Sequence, residues 1–303
     1  MIFDVHSLGS GSAVPRLHRN PTSQFINVLE RYILIDCAEG TQLQMQKFKV
    51  KPQRLQHILI SHLHGDHYLG LVGLLSSMHL AGRTKSINLY APPALQSIIF
   101  DQLHHSKTTL SYDVHFIPLE SNESELIFED QCIEIRTIPL EHRVYCNGFI
   151  IKEKNKPHRI NKLATDKHNV PVAMMHRLVK GEDWIKEDGS MISNSDLTFP
   201  PAPLRSYAFC SDTRYAESIL PLINNVTMLY HESTFLEDKI DRAKKTYHST
   251  AKQAATIALK ANVGKLLLGH FSARYDATEE FVEEAKNVFE NVKAVEDGDK
   301  YSI

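Results

Sequence analysis

Residues 61–68 read Ser61-His62-Leu63-His64-Gly65-Asp66-His67-Tyr68, so that His62, His64, Asp66 and His67 bring four potential metal ligands into six positions. The run at 55–60, Leu-Gln-His-Ile-Leu-Ile, is that of a buried strand, and a second apolar stretch begins at Leu69. A strand sends alternate side chains to one face, so His62 and His64 at its frayed end converge on one ion. The turn that follows redirects Asp66 and His67 toward another. A histidine-rich surface turn would not be delivered and left by apolar sequence, and the spacing therefore predicts a binuclear metal site. Imidazole with carboxylate suits zinc, although manganese or iron accepts a similar set.

Two ions need more donors than one turn supplies. His142 follows IEIRTIPLE, Asp212 follows YAFCS and His270 follows KLLLG, so each stands where a strand-like run emerges at a sheet edge. Side chains at such ends converge. A carboxylate has two oxygens, which makes Asp212 the natural bridge between His62, His64 and His142 on one ion and Asp66, His67 and His270 on the other.

The chain has 303 residues and a formal charge of −2, long enough for a sizeable core and without a global positive field for a polyanion. Such a partner would have to be met by a local basic patch or by metal. Cys37, Cys132, Cys146 and Cys210 show no CxxC pairing and read as reduced residues, three of them beside strand-like sequence. No basic start followed by an apolar run opens the chain, and no stretch approaches the length that spans a bilayer. The expectation is a soluble, cytoplasmic protein.

Mixed α/β order is predicted throughout. Strands are expected at 24–29, 31–37, 55–61, 87–90, 114–118, 132–139, 148–151, 206–210, 226–230 and 265–268. Helices are expected at 69–80, from Pro93, at 250–261 and at 279–291. The segment 152–203 has weak periodicity and ends in the proline cluster FPPAP, and is read as an excursion from the body. Within it, Lys152, Lys154, Lys156, Arg159, Lys162, Lys167, Arg177 and Lys180 face only Glu153 and Asp166 up to residue 180.

With HxHxDH at 62–67 and the later His142, Asp212 and His270, the chain resembles the metallo-β-lactamase superfamily over nearly its whole length. The resemblance implies an α/β fold, the four-layer αββα sandwich. More specific motifs narrow it: LGSGSAVP, HRNPTSQ, IDCAEGTQLQM, SDTR at 211–214, HEST at 231–234, HST at 248–250 and GHFSARY at 269–275. On these the chain resembles the ribonuclease Z family, endonucleases that remove 3′ trailers from precursor tRNA. The resemblance assigns His62, His64, His142 and Asp212 to one zinc and Asp66, His67, Asp212 and His270 to the other. HEST stands where the family has HEAT, and Glu232 with His248 then forms an acid pair, with Asp66 as proton acceptor. Arg274 is a candidate phosphate contact. The resemblance further implies a homodimer and a single domain over 1–303, with 152–203 as a flexible arm that clamps the tRNA body. Competing readings are a small-diester phosphodiesterase of the same fold, an added 3′ exonuclease activity, and a zinc-retaining scaffold without catalysis.

Overall fold

The apolar runs form two seven-stranded sheets in the computed structural model, which describes residues 2–303. The first sheet runs in the order Lys300–Ser302, Phe3–Gly9, Ser23–Val28, Arg31–Ile35, His57–Leu59, Ile87–Ala91 and Val114–Pro118. Its first four strands pair antiparallel and the rest parallel. The second sheet runs Val292–Ala294, Leu266–Gly269, Met228–Glu232, Ser206–Cys210, Asn147–Glu153, Ile133–Pro139 and Leu126–Glu129. Parallel pairing holds across its first four strands.

Both faces of the central strands are apolar, and this dictates four layers. In Arg31–Ile35, Tyr32 and Leu34 pack on the first sheet's helical side with Leu71, Leu74, Leu75, Leu95 and Ile99. Ile33 and Ile35 point the other way and are equally buried. In Ser206–Cys210, Ala208 and Cys210 pack against the second sheet's helices, whereas Tyr207 and Phe209 face the opposite side. The Tyr207 hydroxyl donates to Gln24 of the first sheet, so the inner faces of the two sheets meet there.

The helix Ala251–Lys260 presents Ala251, Ala254, Ala255 and Ala258 to the second sheet, small side chains that permit close approach. Thr250 starts it with a reciprocal capping box to Gln253. The last helix, Glu279–Lys286, stops short of the expected residue 291, because 287–291 form the turn that leads into the edge strand Val292–Ala294 of the second sheet. The strands Phe3–Gly9, Leu126–Glu129, Val292–Ala294 and Lys300–Ser302 are absent from the sequence expectation. The last two are three residues long, too short to carry a periodic signal.

By its contacts the chain divides into two compact units, one of residues to 128, 135–151 and 206–303, the other of 129–134 and 152–205. The smaller unit has its own apolar cluster of Val170, Leu178, Trp184 and Leu197. Its buried Glu153 accepts Arg205 N at 2.8 Å and pairs with the Arg205 guanidinium and with Lys156 Nζ at 2.7 Å. Burial opposes the charge on Glu153, but these cations and donors prevail and lower its pKa. Among the eight basic residues of the sequence pattern, Lys154, Lys156 and Arg177 are paired with carboxylates. Arg159, Lys162, Lys167 and Lys180 are exposed and have no ion-pair partner among the described residues.

One carboxylate ties distant parts of the larger unit together. Asp297 accepts Ser10 N at 2.9 Å, Ser10 Oγ at 2.8 Å, Asn20 N at 2.7 Å, Asn20 Nδ2 at 3.0 Å and Gln44 Nε2 at 3.0 Å. Asp297→Ala strands buried donors on Ser10 and Gln44 and should cost about 3 kcal/mol or more, measured from the urea unfolding midpoint. Asp297→Asn, which keeps one acceptor, should cost less.

Candidate metal centre

Every predicted ligand after the first turn stands at the carboxyl end of a strand. His142 follows Ile133–Pro139, Asp212 follows Ser206–Cys210, His270 follows Leu266–Gly269, and the 61–68 turn follows His57–Leu59. Ligands of open α/β sheets bind beyond these ends. The local backbone is strained accordingly: Ala13, Asp36, Asp212, Tyr247 and His270 all have φ between 56° and 60°. For residues with a Cβ this left-handed conformation costs on the order of 1 kcal/mol or more each, and such strain concentrates at functional sites. Gly269 is required because a Cβ there would lie 2.4 Å from the Tyr230 ring.

The seven residues gather into two adjoining groups. In the first, His62 Nε2 lies 2.9 Å from His64 Nδ1 and 3.5 Å from Asp212 Oδ2, and His142 Nε2 lies 3.2 Å and 3.8 Å from the same two atoms. In the second, His67 Nε2 lies 3.5 Å from Asp66 Oδ2 and 3.3 Å from Asp212 Oδ1, while His270 Nε2 is 3.7 Å and 2.9 Å from those oxygens. Four donors about 2.05 Å from a common centre stand about 3.3 Å apart at a tetrahedron's edges. Both groups bracket that spacing. The Nε2 atoms of His67 and His270 are buried and meet no hydrogen-bond geometry despite their nearby carboxylates. Unpartnered nitrogens beside carboxylate oxygens fit a cation, and the cluster is compatible with metal binding.

The charges agree. Burial disfavours a proton on His67, but Asp212, Asp36 and Asp66 together raise its pKa well above the usual value. His270 is likewise raised to about 10, burial being overcome by the charge of the Asp212 carboxylate close to Nε2. Burial alone would raise Asp212, yet His270, His67 and His62 hold it far below the ordinary carboxylate range. His62 and His142 are lowered, chiefly by burial. The pocket thus concentrates negative charge on buried oxygens and draws positive charge to its centre.

Beside the second group, the buried Glu232 collects five donors. Thr213 N (2.9 Å) and His248 Nδ1 (2.7 Å) meet Oε1, while Thr234 N (3.1 Å), Thr234 Oγ1 (2.6 Å) and Ser249 N (3.1 Å) meet Oε2. Burial opposes a charge on His248, but Glu232 wins and raises its pKa. His248, His64, Asp66, His142, Asp212 and His270 line one cleft of about 470 Å³. The helix that follows is capped by Thr250, two residues beyond His248. Arg274 is exposed, has no ion-pair partner among the described residues and lines a depression beside His248.

Three contributors escape the sequence reading. Asp36 accepts His67 Nδ1 at 2.7 Å and Ser61 N at 2.8 Å, fixing the ring with Nε2 toward the cluster. It obeys the rule that singles out Asp212, a carboxylate just after an apolar strand, and that rule would have found it. Ala13 N donates to Asp66 Oδ2 at 2.7 Å, and Thr234 joins Glu232 to His270. Main-chain donors and hydroxyls leave no pattern in sequence.

A family model described as anti-Pycsar protein Apyc1 matches residues 3–195. Over 289 residues the chain is 43% identical to ribonuclease Z of Bacteroides fragilis, with 95% of each chain covered. It is 44% identical over 306 residues to ribonuclease Z of Cytophaga hutchinsonii, covering 100% of this chain and 97% of that one. Among solved structures, the short form of human tRNase Z aligns with a TM-score of 0.72 and 26% identity over 99% of both chains. The metallo-β-lactamase fold protein YhfI from Bacillus subtilis aligns with a TM-score of 0.69 at 18% identity, a likeness of fold, as the αββα expectation requires.

Asp36→Asn should weaken divalent-ion uptake about 10- to 100-fold, read by competition with a chromophoric chelator, with little change in far-UV circular dichroism.

Proposed function

We propose, from the premise that this chain belongs to the ribonuclease Z family and to that of the Apyc1 model, that it is a zinc-dependent endoribonuclease. It removes the 3′ trailer of precursor tRNA, leaving a tRNA 3′-hydroxyl and a 5′-phosphorylated trailer. The observation that carries this reading is the Glu232–His248 pair in the same cleft as two groups of nitrogen and oxygen donors. A hydrolytic site needs both a place for cations and a proton donor for the departing oxygen.

His62, His64, His142 and Asp212 would hold one zinc, and Asp66, His67, Asp212 and His270 the other. When bound, the pair supplies positive charge on both the attacking and departing sides of a phosphodiester whose own oxygens repel a nucleophile. Asp66, steadied by Ala13 N, accepts the proton of the attacking water. Nδ1 of His248 is committed to Glu232, so Nε2 is left to donate to the departing 3′ oxygen. Glu232 keeps the ring oriented and protonated.

Substrate binding rests on the insertion at 152–203, read as a tRNA-holding arm within one metallo-β-lactamase domain. The exposed Arg159, Lys162, Lys167 and Lys180 support it, since a chain of net charge −2 meets phosphates through local patches. Arg274 beside His248 is positioned for a phosphate near the scissile bond. The family resemblance carries the homodimer reading, and Leu69, which lines the cleft, is 59% exposed. No helix among the described residues is long and apolar enough to cross a membrane, and a tRNA substrate favours the cytoplasm.

Zinc-loaded protein should cut a precursor tRNA once near the acceptor stem, and Asp66→Ala should lower kcat by about 10³-fold, with product ends mapped by sequencing. Rapid hydrolysis of a small phosphodiester with intact RNA would instead establish the phosphodiesterase reading. A general acid must be protonated, so kcat should fall as pH rises through the raised His248 pKa. Glu232→Gln removes the charge that raises it and should move this alkaline limb to lower pH.

A further inference from the structure

Thr234 lies between the two halves of the chemistry. Its Oγ1 is 2.6 Å from Glu232 Oε2 and 2.9 Å from His270 Nδ1, and the residue is 3% exposed. A carboxylate only accepts, so the hydroxyl hydrogen goes to Glu232. The oxygen's lone pairs then accept Nδ1–H of His270. For His270 to offer a lone pair to a cation it must give up the Nε2 proton, and this arrangement then permits one tautomer, Nδ1–H, with Nε2 facing Asp66 and Asp212. By holding Glu232 Oε2, the same hydroxyl leaves Oε1 to His248 Nδ1 at 2.7 Å.

We infer that Thr234 is a positioning residue whose single hydroxyl couples the ion-binding His270 to the Glu232–His248 acid pair. The inference rests on the reading of the two clusters as ion sites. Thr234 does not touch the reacting atoms. It acts by setting the tautomer of one imidazole and the carboxylate orientation that aligns another. Other donors to Glu232 cannot replace it, because Thr213 N, Thr234 N and Ser249 N are all amide groups and none accepts from His270. The backbone holds the residue in place independently, through Ser272 N donating to Thr234 O at 3.2 Å.

The test uses the full chain and three substitutions. Thr234→Val keeps shape and β-branching but deletes the hydroxyl, whereas Thr234→Ser deletes the methyl and keeps the hydroxyl. Zinc uptake, titrated without substrate against a chromophoric chelator, should show one of two ions bound about tenfold or more weakly in Thr234→Val. Steady-state cleavage should show a fall in kcat of about tenfold or more with KM little changed, since the acid pair acts in the chemical step. Thr234→Ser should restore both. Should the valine variant fail to fold, Thr234→Ala carries the same comparison with serine. Wild-type ion affinity in a variant lacking the hydroxyl overturns the inference, as does a serine variant as impaired as valine or alanine. A wild-type protein that takes up no divalent ion overturns the underlying reading, and the coupling with it.

Discussion

Asp212 is a carboxylate buried where water would ordinarily be needed to stabilise its charge, and the surrounding structure is organised around that fact. Its two oxygens face different histidine groups, Oδ2 toward His62 and His142 and Oδ1 toward His67 and His270. An isolated buried carboxylate would shed its charge by taking up a proton. Here the imidazoles hold it ionised, and the carboxylates raise two of those imidazoles in return. Neither half keeps this charge state without the other, and together they form a donor set compatible with metal binding.

The fold makes that concentration of charge tolerable. Parallel strands of two sheets end at one rim, so side chains from sequence positions far apart arrive together without long loops. Strain at Asp36, Asp212 and His270 aims them inward, and the cost is borne by apolar layers on both sides of each sheet. Hydrogen bonds behind the first ring of side chains complete the arrangement: Asp36 behind His67, Tyr247 O behind His142 at 3.2 Å, Thr234 behind His270. Each fixes a tautomer, and the tautomer decides which nitrogen faces the cleft.

Glu232 shows how a buried carboxylate is satisfied at little structural expense. It ends a central strand, is satisfied by three main-chain amides, and still has an oxygen for His248. The Glu232–His248 pair is thus anchored to the sheet through Glu232, beside the candidate metal ligands Asp212 and His270.

The chain's own order of residues determined the candidate metal centre to a large degree. His62, His64, Asp66 and His67 are legible because their spacing is local, and His142, Asp212 and His270 because each follows an apolar run. Most of the other strands were legible from their apolar runs, although the seven-residue strand Phe3–Gly9 was not. Only the tertiary structure decided what depends on distance in space. The edge strands at 292–294 and 300–302 exist because neighbouring strands offer them hydrogen bonds. The roles of Asp36, Thr234, Ala13 N and the amides around Glu232 arise from contacts between segments up to dozens of residues apart. A hydroxyl or a main-chain N–H carries no mark in sequence of the partner it will meet, because folding, not composition, brings the two within hydrogen-bonding distance.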